Sequence, residues 1–238
     1  MHGVFIEDEE LISLSVLPFA CQVTLGSGLE PLTKLHIEDH FRAFAGRARR
    51  DLSAAAERCQ VKWSFEIVRG PLDPDALGGE HDFVVAGAVS RPVGDHFRIA
   101  SRWQSWMATI ARPFLLAKRE WETGGSVVIV LRSRDPRTAR ALEIAAQIAG
   151  FRSGTLTVAG TPDFAGSDDL IAWVSEVLKG HSLTIQTEPA ATDPAALRQR
   201  IIELDCRLLV LDAGAGDAQP NGLRGLVEQL ACDVLIIR

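Results

Sequence analysis

The chain has 238 residues, 47% hydrophobic and 24% charged, which is enough for one large or two small domains with a buried core. Its formal net charge of −6 argues against general nucleic-acid binding. No apolar run reaches the roughly 20 residues needed to cross a bilayer, and the N-terminus lacks the pattern of a secretory signal. These features predict a cytoplasmic protein that binds neither nucleic acid nor membrane.

The first half of the chain predicts a series of strands with one long helix. Residues 11–19 are apolar, residues 26–31 have the composition of a loop, and the helix carries an apolar stripe at helical spacing. Residues 83–86 read as a buried strand. Strands are predicted at 3–6, 61–68, 83–86 and 114–117, and helices at 37–59 and around 101–111.

A short segment ending in Gly124-Gly125 marks a domain boundary, and a more regular series follows it. Five apolar runs alternate there with helical stretches that carry start and stop signals. Asp135-Pro136 is an N-cap followed by proline at the first helical position, and Gly150 and Gly180 stand where a helix ends. Strands that alternate with helices specify a parallel sheet covered by helices. We therefore predict an α/β fold with two doubly wound domains, 1–121 and 126–238, here called the first and second series.

The second series predicts the spatial strand order 3-2-1-4-5, because right-handed crossovers and a switch beside the first strand give that order. The first series begins at what looks like a second strand, so a central strand and the helix after it are missing. Three explanations are open: the remaining strands rearrange, another chain covers the gap, or the gene product is truncated. The last strands of the two series, 114–117 and 234–237, would be apolar sheet edges, and we expect them to pair with one another.

The layout and the ends of both series resemble a tandem universal stress protein. In that family each domain is a five-stranded parallel sheet with helices on both faces, an arrangement also called adenine nucleotide alpha hydrolase-like. Residues 127–149 resemble the family's first strand and helix, and residues 208–238 resemble its last strand, helix and strand. The resemblance covers nearly the whole chain and implies tandem domains that pair in the manner of family dimers.

Nucleotide-binding members of that family carry a glycine motif after the fourth strand: Gly, two residues, Gly, nine residues, Gly, then Ser or Thr. Glycines let backbone N–H groups approach phosphates, and the hydroxyl adds a donor at a helix N-terminus. The first series keeps the spacing but not the residues, because Gly87 and Ser101 match whereas Ser90 and Ala100 replace glycines. The resemblance thus implies a degenerate phosphate loop at Gly87, Ser90, Ala100 and Ser101.

The second series departs further from the motif. Its loop after the fourth strand, residues 212–217, is several residues too short, and Asp212 and Asp217 would repel phosphate. Arg132 stands where the family has an acidic residue at the end of the first strand. The second series is therefore not expected to bind ATP.

Other candidate sites have a plain structural interpretation. Six basic residues between 91 and 119 suggest an anion site, but a solvated helix face is the more common cause of such a cluster. Trp103 and Trp106 are better explained by packing than by base stacking. His36 and His40 lack the partners of a metal site, so no metal is expected, and no nucleophile, base and oxyanion site can be assembled.

The four cysteines lie far apart and form no Cys-x-x-Cys, so we expect small, reduced, buried thiols: Cys21, Cys59, Cys206 and Cys232.

Three functions are compatible with these observations. The first is a non-catalytic, stress-protein-like regulatory or interaction module that has largely lost nucleotide binding and needs no cofactor. The second is a stress protein that binds ATP or AMP weakly through the loop of the first series. The third, an enzyme of another α/β family, has no general-base constellation to support it. We also expect a homodimer, because the incomplete first series leaves apolar surface to cover, and a protein partner is compatible with the first function.

Overall fold

The computed structural model describes residues 1–24, 28–70, 83–87, 112–118, 125–152, 154–160, 168–189, 194–212 and 227–237. The described residues form two compact units. The first contains residues 1–24 and 28–70, and the second contains all later described residues. The two compact units are defined by how the described residues pack, and they are not the same as the two predicted series. The boundary between the series, at 121–126, stays a prediction.

The first compact unit contains two small sheets and two helices. Its helices are α1, Glu9–Leu14, and α2, Lys34–Arg58. Its strands are β1 (His2–Glu7), β2 (Cys21–Thr24), β3 (Gly28–Pro31) and β4 (Ser64–Arg69). Strand β1 pairs with β4 in parallel, and β2 pairs with β3 in an antiparallel hairpin.

The hairpin corrects the sequence analysis, which assigned residues 26–31 to a loop. Gly28–Pro31 has few residues that favour strands, but its backbone pairs with Cys21–Thr24 in register, Cys21 opposite Pro31. The amide of Leu32 also donates to the carbonyl of Ala20 at 2.8 Å. Pairing with a neighbouring strand has overridden local propensity here.

Helix α2 confirms the long helix predicted for this region and begins three residues earlier. Thr33 caps it, because its side chain accepts a hydrogen bond from the amide of His36. The buried face of the helix packs on β1, where Phe5 meets Phe41 edge to face at a centroid distance of 6.3 Å. Gly3 permits this approach, because a Cβ there would lie 2.5 Å from a methyl carbon of Leu52.

The second compact unit is built on a seven-stranded sheet. Its strands are β5 (Val84–Gly87), β6 (Phe114–Ala117), β7 (Ser126–Leu131), β8 (Thr155–Gly160), β9 (Thr184–Pro189), β10 (Cys206–Asp212) and β11 (Asp233–Ile237). Its helices are α3 (Pro136–Arg152), α4 (Asp168–Val177) and α5 (Pro194–Glu203), and residues 227–229 are also helical. None of the described helices has the length and apolarity needed to span a membrane.

The strand order of this sheet is β5-β6-β11-β10-β7-β8-β9. The five strands of the second series therefore lie in the order 3-2-1-4-5 and pair in parallel, as predicted. Strand β6 pairs with β11 in antiparallel fashion, with Leu115 opposite Leu235. This pairing, here called the seam, confirms the expected junction between the last strands of the two series, and the doubly wound α/β fold is also confirmed.

Both faces of the central strands β7, β8, β10 and β11 are buried, as the apolar strands of a parallel sheet require. One core lies between the sheet and helices α3 and α4, with Leu142, Ala145 and Val174 among its members. The other contains Ile201 of α5 and Val227. Alternate residues of β10 and β11 contribute to the two cores, which fixes the register of the sheet.

The strands of the first series form two separate parallel pairs, β1 with β4 and β5 with β6. In an order of 3-2-1-4-5 these pairs correspond to strands 2 and 3 and to strands 4 and 5. Within the described residues these two pairs belong to separate sheets, and the missing first strand stays a prediction from the sequence.

Strand β5 also corrects an expectation, because it is not buried. Val85 is 61% exposed and Phe83 is 41% exposed, whereas only Ala86 is buried. Within the described part of the chain β5 has one hydrogen-bonded neighbour, β6. A strand with one neighbour among the described residues can leave alternate side chains exposed.

The ends of the second-series helices follow the predicted signals, with one shift. Helix α3 continues past Gly150 to Arg152, and Gly154 at φ +69° supplies the left-handed turn, its amide donating to the carbonyl of Ala149 at 2.8 Å. Gly180, at φ +100°, follows α4 as expected.

Candidate functional site

The crevice of a doubly wound sheet lies at the carboxyl ends of the two strands where the strand order reverses. In the second series those strands are β7, which ends at Leu131, and β10, which ends at Asp212. Polar side chains from the turn after β7 and from the start of α3 meet the end of β10 there. We call them the switch-point cluster: Ser133, Asp135, Arg137, Thr138 and Asp212.

Asp135 organises the start of α3. Its Oδ1 accepts a hydrogen bond from the backbone amide of Thr138 at 2.8 Å, and its Oδ2 accepts from the hydroxyl of Ser133 at 2.9 Å. These bonds favour the charged carboxylate and lower its pKa to about 2, the backbone amide of Thr138 being the largest cause. The N-cap predicted from Asp135-Pro136 is confirmed, because this side chain satisfies the end of the helix.

Asp212 is the buried acid of the cluster, with 9% of its surface exposed. Its Oδ2 accepts a short hydrogen bond from the hydroxyl of Thr138, a residue that is wholly buried. The oxygens of Thr138 and Ser133 lie 2.8 Å apart. The two hydroxyls are thus also within hydrogen-bond distance of each other. The carboxylate of Asp212 is thus held against the first turn of α3, where the helix dipole favours a negative charge.

Arg137 partly neutralises this carboxylate. Its Nε lies 3.8 Å from Oδ1 of Asp212, and its terminal nitrogen lies 3.5 Å from Oδ2 of Asp135. Neither Nε of Arg137 nor Oδ1 of Asp212 has a hydrogen-bond partner within the described part of the chain. The guanidinium is therefore engaged with two carboxylates by charge, and an incoming anion would have to compete for it.

The sequence analysis identified Asp212 only as a charge that would repel phosphate and did not find its contacts. Ser133, Arg137 and Thr138 were not selected at all. Thr138 lies 74 residues from Asp212 in the chain, and a polar residue in the first turn of a helix carries no sign of a distant partner. The one local signal was the Asp135-Pro136 cap, which placed the start of α3 correctly.

Of the four residues predicted to form the degenerate phosphate loop of the first series, the structure describes one. Gly87 is the last residue of β5, at the carboxyl end of the strand, as the motif requires. A Cβ built on Gly87 meets no atom of the described residues within 4 Å. Ser90, Ala100 and Ser101 lie outside the described residues, as do Trp103 and Trp106.

The basic segment is also described only in part, at Arg112 and Lys118. Lys118 follows β6 at the seam, and its ammonium donates to the carbonyls of Val227 and Leu230. Its backbone amide donates to Oδ1 of Asp233 at 2.8 Å. These hydrogen bonds join the end of β6 to residues around the start of β11, so Lys118 stabilises the seam.

No protein-family model and no curated protein matches the sequence. Solved structures do match over nearly the whole chain. A universal stress protein from Archaeoglobus fulgidus DSM 4304 has 14% identity and a TM-score of 0.58, with 98% of this chain and 95% of that chain covered. A candidate universal stress protein from Pseudomonas aeruginosa UCBPP-PA14 has 15% identity and a TM-score of 0.52, with 99% and 92% covered. The chain therefore has the fold of these universal stress protein structures.

Proposed function

We propose that this chain is a non-catalytic, stress-protein-like regulatory or interaction module whose second series does not bind nucleotide. The observation that carries the proposal is Asp212, a buried carboxylate at the switch point. In the nucleotide-binding members of the resembled family, a glycine-rich loop receives phosphates after the corresponding strand. Here a fixed side-chain anion occupies the end of that strand.

The charge of Asp212 supports this proposal, because it would oppose a phosphate bound at the end of β10. Two unit charges about 4 Å apart interact by about 4 kcal/mol at an effective dielectric constant of 20, which corresponds to about a thousandfold in affinity. Arg137 offsets part of this repulsion, but its charge already acts on Asp135 and Asp212. The loop after β10, which the sequence predicts to be too short for the motif, would add to this loss, because it would offer fewer backbone amides to a ligand.

The alternative is weak binding of ATP or AMP at the first series. Gly87 supports it, since a glycine at the end of β5 would let a ligand approach the backbone closely. Ser101 would supply the hydroxyl of the motif, and Ser90 and Ala100 would narrow the approach. Losing two or three backbone hydrogen bonds, each about 1–3 kcal/mol, would weaken affinity by orders of magnitude.

We also propose that the chain forms a homodimer or docks a protein partner through its first compact unit. Large apolar side chains there are exposed: Val16 and Phe19 at 76% each and Leu29 at 74%. Exposed apolar surface of this kind favours association. Light scattering at micromolar concentration tests the homodimer, and a monomer mass would exclude it.

Equilibrium binding of fluorescent ATP, with and without magnesium and with AMP as competitor, tests the nucleotide proposal. The wild type is compared with Ser101→Ala, which probes the first series, and with Asp212→Asn, which removes the charge at the second. We expect no saturable binding at micromolar ligand by any of the three. Binding at roughly micromolar affinity that Ser101→Ala abolishes would favour the alternative, and binding unaffected by Ser101→Ala would overturn the assignment of the second series.

A further inference from the structure

Two of the four cysteines meet at the seam, although they lie far apart in the sequence. Cys206 is the first residue of β10, and Cys232 immediately precedes β11. Both are buried, at 8% and 2% exposure, and both are reduced. The other two, Cys21 and Cys59, are exposed, which corrects the expectation that all four thiols are buried.

A β-bulge in β10 places the two thiols on the same face of the sheet. Cys206 pairs with Ser126 and Leu208 pairs with Val127, so Arg207 is an extra residue between them. Without the bulge, strict alternation would put Cys206 on the face of Leu208. Because of it, Cys206 shares a core with Cys232, whereas Leu208 belongs to the opposite core.

Pairing of Leu208 with Asp233 brings the start of β10 beside the residue that precedes β11, and both cysteines belong to one buried cluster. Interaction between the two thiols raises the pKa of Cys206 and lowers the pKa of Cys232. Burial raises the pKa of Cys206 further, since a buried thiolate loses its hydration.

Lys118 supplies a positive charge to the same place. Its ammonium favours the thiolate of Cys232, against the opposing charge of Asp233. The carbonyls of Val227 and Leu230 hold this ammonium in position. A thiolate beside an ammonium and a second thiol has the composition of a redox-active dithiol site.

We propose that Cys206 and Cys232 are a redox-active pair that a small peroxide converts to an intramolecular disulfide, with Cys232 as the attacking thiolate, Cys206 as the resolving thiol and Lys118 as the positioning charge. The site is covered by its surroundings, so it selects an oxidant of the size of hydrogen peroxide. The disulfide would link β10 to β11 beside the seam.

Hydrogen peroxide is the only oxidant that this reaction needs. The thiolate of Cys232 attacks one peroxide oxygen, an S–O bond forms, the O–O bond breaks, and the departing hydroxide takes a proton to become water. The sulfur of Cys206 then attacks the sulfenic sulfur of Cys232. The S–S bond forms, the S–O bond breaks, and the proton of Cys206 leaves with the hydroxide as a second water. The two sulfurs together lose two electrons, which the peroxide accepts.

The test uses the full chain with the exposed thiols removed, Cys21→Ser/Cys59→Ser. This protein is treated with hydrogen peroxide, denatured, alkylated with iodoacetamide and weighed as an intact chain. We expect a monomer that has lost two hydrogen atoms and takes up no alkyl group, and that dithiothreitol restores to two alkylatable thiols. Two free thiols after peroxide exposure, a sulfinic acid at Cys232 without a disulfide, or disulfide-linked dimers would each overturn the proposal.

Two further variants in that background separate the roles of the groups. Cys206→Ser removes the resolving thiol, and we expect a sulfenic acid at Cys232 that dimedone traps. Lys118→Arg keeps a positive charge and should retain the rate of disulfide formation, whereas Lys118→Met should slow it by about tenfold at neutral pH. Lys179→Met, an exposed lysine after α4, is the matched control and should leave the rate unchanged. Equal rates in Lys118→Met and Lys179→Met, with both proteins folded by circular dichroism, would remove Lys118 from the mechanism.

Discussion

Thr138→Val tests the switch-point cluster most sharply, because valine keeps the shape of threonine and removes its hydroxyl. Thr138 is wholly buried and donates to a carboxylate that is itself 91% buried, the complement of its 9% exposure. A hydrogen bond to a charged group contributes about 1.5–3 kcal/mol to stability, and the acceptor left behind loses its partner. We therefore expect the free energy of unfolding to fall by about 2–3 kcal/mol. For a chain of this length that corresponds to a decrease in Tm of roughly 4–12 °C.

Urea unfolding followed by circular dichroism measures the change, and Thr138→Ser is the matched control. Serine keeps the hydroxyl and loses one methyl group, so its cost should stay near 1 kcal/mol. A double-mutant cycle with Asp212→Asn then isolates the interaction, and we expect a coupling of at least about 1 kcal/mol. Additive effects of Thr138→Val and Asp212→Asn, or equal effects of the valine and serine variants, would refute the account of the cluster.

Two further predictions concern the same compact unit. Asp135→Ala should destabilise the protein by about 1 kcal/mol near neutral pH through loss of the N-cap, allowing for solvent screening at this partly exposed carboxylate, whereas exposed Glu143→Ala on the same helix should be nearly neutral. Because the pKa of Asp135 is lowered to about 2 from its usual 3.8, its stabilisation is present above the unfolded pKa and is lost as pH falls to about 2; a pH-independent difference between wild type and Asp135→Ala in urea titrations would contradict this. At the seam, Leu116→Ala should cost about 2–5 kcal/mol in urea unfolding, because Leu116 is wholly buried, and Val85→Ala on neighbouring β5 should cost far less. Similar losses for the two variants would show that the seam is not a packed core.

The architecture of the second series was predictable because each of its elements is marked locally. Its strands are continuous apolar runs, and its helices have caps such as Asp135 and terminal glycines such as Gly180. With these elements in order, right-handed crossovers leave few ways to arrange five parallel strands. The same reasoning identified the pairing of β6 with β11, since two apolar strand edges need partners.

The features that the sequence did not predict depend on contacts between residues that are distant in the chain, or on the number of neighbours that a strand has. The hairpin of β2 and β3 rests on backbone pairing that recruits Gly28–Pro31, a segment with few residues that favour strands. Val85 was expected to be buried because it is apolar, but β5 has one neighbour in the described part of the chain. The contact of Cys206 with Cys232 depends on a bulge at Arg207, which no periodicity reveals.

The central claim is that this chain has the fold of universal stress protein structures but does not bind nucleotide. Calorimetric titration of the purified full chain with magnesium ATP tests this claim most directly. We expect Asp212 and the predicted short loop after β10 to exclude phosphate from the second series, and we expect the replacement of glycines by Ser90 and Ala100 to weaken binding at the first. The account predicts no saturable heat at micromolar protein and ligand. A dissociation constant at or below roughly a few micromolar would contradict it, and loss of that binding in Ser101→Ala would show that the loop of the first series still works.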